Sequence, residues 1–140
     1  MSGPLNLQHW VDRLRAEVPL LKTVGLAGDM RKVKDLVRAV PAAWVYPGPE
    51  RVTATDRSPQ SYYRVSTEIH VLIAMRHYGD TVGGQAVDSL RELRLQIEAA
   101  LIRWQPPDGL VPAVPRGGAP LPIENNAMWW LDRFETSRWS

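Results

Sequence analysis

Hydrophobic residues recur at helical spacing from the start of the chain. Leu7, Trp10, Val11, Leu14 and Val18 stand three and four apart, which predicts an amphipathic helix over Leu5 to Val18. Asn6 is placed to cap it, Leu5 to staple it and Pro19 to stop it. Leu20 to Leu26 then reads as a short strand, punctuated by Gly25 and Gly28. Asp29 opens a short helix from Met30 to Arg38, with Met30, Val33 and Val37 on one side. Ala42 to Tyr46 is a second short strand fenced by Pro41 and Pro47. Pro47 to Gln60 has the composition of a loop.

The strongest alternation follows. Tyr63, Val65, Thr67, Ile69, Val71, Ile73 and Met75 occupy odd positions, and Arg64, Ser66, Glu68 and His70 fall between them. A period of two predicts a half-buried strand with one wet face. Leu72 and Ala74 break it, so the far end is expected to be covered on both faces. Gly79-Asp80-Thr81 turns the chain into a helix from about Val82 to Trp104. Its stripe is Ala86, Leu90, Leu93, Ile97, Leu101 and Trp104, and Gln105-Pro106-Pro107 ends it. Gln105 to Pro122 holds six of the twelve prolines together with Gly109, Gly117 and Gly118, and reads as a long loop. Loops of that length are functional or mobile. This one and Pro47–Gln60 are expected to move in the free protein and to order against neighbouring subunits. Ala127 to Trp139 reads as a strand, with Leu121 to Glu124 as its hairpin partner. The order α-β-α-β-β-α-β-β gives an α+β fold: a mixed, largely antiparallel sheet with helices packed on one face, in a single domain over residues 1–140.

Composition narrows the class more than the function. Apolar residues are 44% and charged residues 23% of 140, as in a globular domain rather than a disordered one. There is no cysteine, which excludes disulfides, thiolate metal sites and a cysteine nucleophile. No apolar run without proline is longer than Val71 to Met75, too short for a membrane span, and no signal peptide is expected. The net charge is +2, with nine basic and six acidic residues up to position 60 and eight and nine beyond it. That is not the charge balance of a dedicated nucleic-acid binder. Trp supplies six of the eleven aromatics, and three of them, Trp129, Trp130 and Trp139, crowd the C-terminus.

Catalytic patterns are missing from the sequence. There is no phosphate loop, no nucleophile elbow and no H-E-x-x-H helix. Gly83-Gly84 reads as close packing. Glu68 and His70 share a strand face, a geometry open to metal or acid–base work, but no third ligand stands at readable spacing. His9 and His77 read as surface residues. Arg31, Lys32, Lys34 and Arg38 form a basic cluster that Asp29 and Asp35 interrupt, which favours a solvated helix face over a nucleic-acid site. The tryptophans of the tail read as core or as subunit contact, since Trp buries a large area and is favoured at interfaces.

The C-terminal run Met128-Trp129-Trp130-Leu131-Asp132-Arg133-Phe134-Glu135-Thr136 resembles the closing strand of the tail terminator (tail completion) proteins of long-tailed bacteriophages, the Mu-like group in particular. The strand at Tyr63 to Arg76, the helix at Asp88 to Leu101 and Trp104-Gln105-Pro106-Pro107 resemble that family in order and spacing. The resemblance covers about residues 60 to 139. It implies a structural virion protein, carried by a phage or a prophage, that forms a hexameric ring. Such a ring caps the tail tube, stops tube polymerisation and offers a head–tail joining surface. The implied partners are further copies of the chain, the tail tube protein and a head-side connector or completion protein. DNA is met only by passage through the lumen, and no membrane, cofactor or metal is implied. The implied location is the virion tail, reached through the host cytoplasm during assembly. The competing class is a small nucleic-acid-binding or ligand-binding α+β domain.

Candidate interface residues follow from the long helix and the tail. With Ala86 at zero, Leu95 and Ile102 fall at about 180° and about 160°, and Ala99 at about 220°, opposite the core stripe. Leu95, Ala99 and Ile102, with Trp129, Trp130 and Trp139, are therefore the expected subunit or partner contacts.

Overall fold

The computed structural model describes residues 3–28, 33, 39–55, 63–76, 84–124 and 126–140. Helix α1 spans Gln8–Glu17. Strands β1 (Thr23–Leu26), β2 (Ala42–Thr55) and β3 (Tyr63–Arg76) follow, then helix α2 (Gly84–Leu101) and strands β4 (Val114–Glu124) and β5 (Ala127–Trp139). The strands make one sheet in the order β1-β2-β3-β5-β4. β1 runs parallel to β2, and all other neighbours are antiparallel. The fold is thus α+β with a mixed, largely antiparallel sheet, as the pattern predicts. The helix expected at Met30 to Arg38 lies outside the described residues apart from Val33, which is buried.

Successive side chains of a strand point to opposite faces, and β3 uses both. Ile69, Val71, Ile73 and Met75 pack with Trp10, Val11 and Leu14 of α1 and with Leu90, Leu93, Ile97 and Leu101 of α2. Leu72 and Ala74 face the other way and join Trp44, Trp129, Ala27 and Val33 in a second, smaller cluster. The helices therefore cover one face, and one end of the opposite face is covered too. The break in alternation at Leu72 and Ala74 marks that end.

Two expected loops are strand in part, over 47–55 and 114–122, while 56–60 lie outside the described residues. β2 continues through Pro47 and Pro49 to Thr55, and β4 starts at Val114. Proline lacks the amide a central ladder needs, but an edge tolerates it. β1 accompanies β2 only as far as the Leu26–Val45 pair, so the proline-bearing part of β2 lies beyond β1. Pro115, Pro120 and Pro122 lie on β4, the outermost strand. The register shifts between Pro47 and Glu50 and between Pro115 and Gly117, and again between Val52 and Ala54 and between Leu121 and Glu124. Residues 105–113 are tied down: Leu110 donates its amide to Ser137 O at 2.8 Å, and Thr136 Oγ1 donates to Val111 O at 2.6 Å.

Two element ends also differ from expectation. α2 stops at Leu101, before the proline pair, because Arg103 takes a left-handed φ of 68°, the conformation that commonly terminates helices. Trp104 then leaves the helix and meets Trp10 edge to face at 5.1 Å. At α1 the cap position is Leu7, not Asn6. Asn6 still helps from one residue upstream, its Oδ1 accepting the Gln8 amide at 3.0 Å. At the β4–β5 reversal Glu124 pairs with Ala127 and Asn126 adopts φ 57°, as a tight hairpin turn requires.

Candidate functional site

The expected contact residues separate into outside and inside. Leu95 is 50% exposed, and Val87, eight residues before it on α2, is 52% exposed. Ala99 is exposed beside them. Ile102 is not part of this ridge. The helix has ended, and its side chain turns back against the main core.

The tail tryptophans take three different roles. Trp129 is placed in the core rather than at an interface: it is fully buried and stacks on Trp44 at 6.1 Å, with Nε1 donating to Glu124 O at 2.9 Å. Trp130, its neighbour on the opposite face, is half-buried against the main core. The Arg94 guanidinium lies 4.2 Å from its ring centre, and its Nε1 donates to Asp132 Oδ1 at 2.7 Å. Trp139 is 42% exposed at the end of β5. Period-two geometry separates Trp129 from Trp130 at once, but the sequence does not say which sheet face is covered at that end.

The face of the sheet away from the helices is polar beyond the Trp44–Trp129 cluster. Ser66, Glu68 and His70 of β3 stand opposite Ser137, Glu135 and Arg133 of β5. His70 Nε2 lies 3.1 Å from Glu68 Oε1, and the ring meets Tyr46 edge to face at 5.3 Å. Gly48 is required beneath this pair, because a Cβ there would come within 2.6 Å of His70 Nε2. The sequence brings Glu68 and His70 together as expected. Among the described residues no group of three or more potential metal ligands forms. His77, Gly83 and the basic cluster Arg31 to Arg38 lie outside the described residues.

Acid–base pairs stitch the strands of this sheet. Arg138 donates from Nε and Nη2 to Glu50 at 2.7 and 2.9 Å. Those bonds, with help from Thr67 and against some burial, hold the Glu50 carboxyl below its ordinary range. Burial pushes Glu135 up, but hydrogen bonds from Ser66 and Arg116 and the charges of Arg116 and Arg51 outweigh it, and the net shift is downward. Arg51 and Arg116 are hidden in the sequence because they sit in segments with loop composition. Their signal is the run of polar even positions on β3, which fixes a wet face that neighbouring strands must match.

Among the described residues no helix is long and apolar enough to cross a membrane. The surfaces among the described residues include an apolar helix ridge, an exposed strand end and a polar sheet face. The family model for phage tail terminator protein matches residues 1–139, and the chain belongs to that family, a family of structural tail proteins. Among solved structures it is similar to a chain from the virion of a native gene transfer agent particle. The TM-score is 0.52 at 15% identity, covering 92% of this chain and 90% of that one, a likeness of fold. No curated protein matches the sequence.

Proposed function

We propose that the chain is the tail terminator of a phage-type particle. A homo-oligomeric ring, six-fold, caps the finished tail tube, stops its polymerisation and presents the surface that joins the head. The observation that carries this reading is the family match over residues 1–139. The surfaces support it. A ring needs two different patches on each subunit, because a heterologous contact is head to tail. The ridge at Val87, Leu95 and Ala99 on α2 supplies one, and the end of β5 at Trp139 lies on another side of the fold. Leu95, Ala99 and Trp139 are the contacts assigned to neighbouring copies or to the tail tube protein. A head-side connector or completion protein meets the ring, and DNA passes through its lumen. No cofactor or catalytic step is part of the account. Assembly takes place in the host cytoplasm, and the whole chain acts as one domain.

The test is polymerisation of purified tail tube protein with and without this chain. Elongation should stop when the chain is added, and gold-labelled chain should mark one tube end only. Tubes that keep growing at the same rate, or carry label along their sides, contradict the reading.

A further inference from the structure

Arginines collect on the polar sheet face. Arg51 stands on β2, Arg64 on β3, Arg133 on β5 and Arg116 on β4, one on each of four neighbouring strands. Strands about 4.8 Å apart spread them over roughly 14 Å across the sheet, and Arg64 and Arg133 lie six register positions, roughly 20 Å, apart along it. Two carboxylates lie among them. Arg116 Nη2 is 2.6 Å from Glu135 Oε2, and Arg133 Nη1 is 3.7 Å from Glu68 Oε1. Four guanidiniums against two carboxylates leave a surplus as large as the formal +2 of the whole chain. Hydroxyls sit between the charges: Ser66 donates to Glu135, and Ser137 accepts from Arg64 Nε at 3.3 Å. Arg51, Arg64 and Arg116 line a cleft of about 520 Å³ together with Ser66, Ser137 and Glu135 and, along β4 and the segment before it, Val111, Pro112 and Val114.

We propose that this face is a contact surface for the phosphate backbone of double-stranded DNA. The proposal rests on the tail-terminator reading, in which a duplex passes the ring, and it names the surface that meets it. Charge complementarity decides the occupant. A protein partner favours an interface centre depleted of charge, and four guanidiniums and two carboxylates cross this patch. Guanidiniums match phosphate oxygens well, and contacts of this kind carry no sequence information. Glu68 and Glu135 hold their arginines in place and temper the pull, which suits a duplex that must slide.

The test uses the full chain and a labelled random-sequence duplex of roughly 30 base pairs, followed by fluorescence anisotropy at about 50 and about 200 mM salt. Weak, sequence-independent binding is expected. R51Q/R64Q should lose about tenfold in affinity at the lower salt and flatten the salt dependence by about two phosphate equivalents. R91Q/R103Q, on and just beyond α2, should bind like the parent. Should the double variant melt early, R51Q alone carries the test, since Arg51 is exposed. No binding at the lower salt, equal loss in both doubles, or displacement of the duplex by polyglutamate at equal charge overturns the proposal. Particles assembled with R51Q/R64Q separate the two claims. Normal tail length and head joining with lost duplex binding support the DNA contact. Loss of length control together with binding places these arginines in assembly and contradicts it.

Discussion

Arg94 on α2 grips Asp132 on β5 with two hydrogen bonds, Nε to Oδ2 at 3.2 Å and Nη2 to Oδ1 at 2.9 Å, and the carboxylate side chain is only 4% exposed. This pair locks the long helix to the closing strand across the main core, with Trp130 sandwiched beside it. Arg94→Leu strands a buried carboxylate and should cost about 2–3 kcal/mol, below the value for a fully buried pair because Arg94 reaches solvent. Adding Asp132→Asn to that variant should recover part of the loss. Chemical denaturation of the two variants checks this; a double variant less stable than the single would contradict it.

Gly118 makes room for that pair. A Cβ at this position would lie 2.5 Å from Asp132 Oδ1, 2.7 Å from Leu131 O and 2.7 Å from Trp130 Nε1. Two of those neighbours are fixed by hydrogen bonds and one is backbone, so they have little room to give. Gly118→Ala should therefore destabilise by about 1–3 kcal/mol. Gly28→Ala, where nothing lies within 4 Å, should leave the thermal midpoint near that of the parent. Equal midpoints for the two variants would show that β4 shifts freely.

Trp129 and Trp139 lie ten residues apart on one strand and should answer differently. Trp129→Ala empties the smaller core and should cost about 3–5 kcal/mol. Trp139→Ala removes an exposed ring and should stay within about 0.5 kcal/mol of the parent. Calorimetry separates them, and a large loss at Trp139 would show that its ring is packed more tightly than its exposure indicates.

Much of this architecture is legible in the sequence. The alternation from Tyr63 to Met75 and the four-three stripe of α2 read directly, because one buried face imposes a strict period. The edges do not read. Pro47, Pro49, Pro115 and Pro120 mark loops by composition, yet they sit on strand edges where a missing amide costs nothing. Opposition on a helical wheel fails at Ile102 for a related reason: Arg103 ends the helix, and the wheel no longer applies. Of the candidate site, the outward Leu95 and Ala99 follow from the wheel. The core role of Trp129 depends on which chain segment covers the far face, a non-local fact that spacing does not contain.

Acid should loosen the strand pairing. Glu50 and Glu135 both titrate below the ordinary 4.5 in the folded chain. A depressed folded value means that the contribution is complete above 4.5 and is lost as pH falls through the folded value. Solvent screens both pairs, so the effect is modest. The thermal midpoint should fall more steeply below about pH 4.5 in the parent than in E50Q/E135Q, which lacks both titrations. Parallel curves would show that other carboxylates govern the acid limb.

Ending tail growth is the role proposed for this chain. Electron microscopy of particles from a strain lacking its gene tests that most directly. Overlong tails of variable length, unattached to heads, are expected, with normal lengths restored when the gene is supplied in trans. Tails of uniform normal length, joined to filled heads in the absence of the chain, would contradict it.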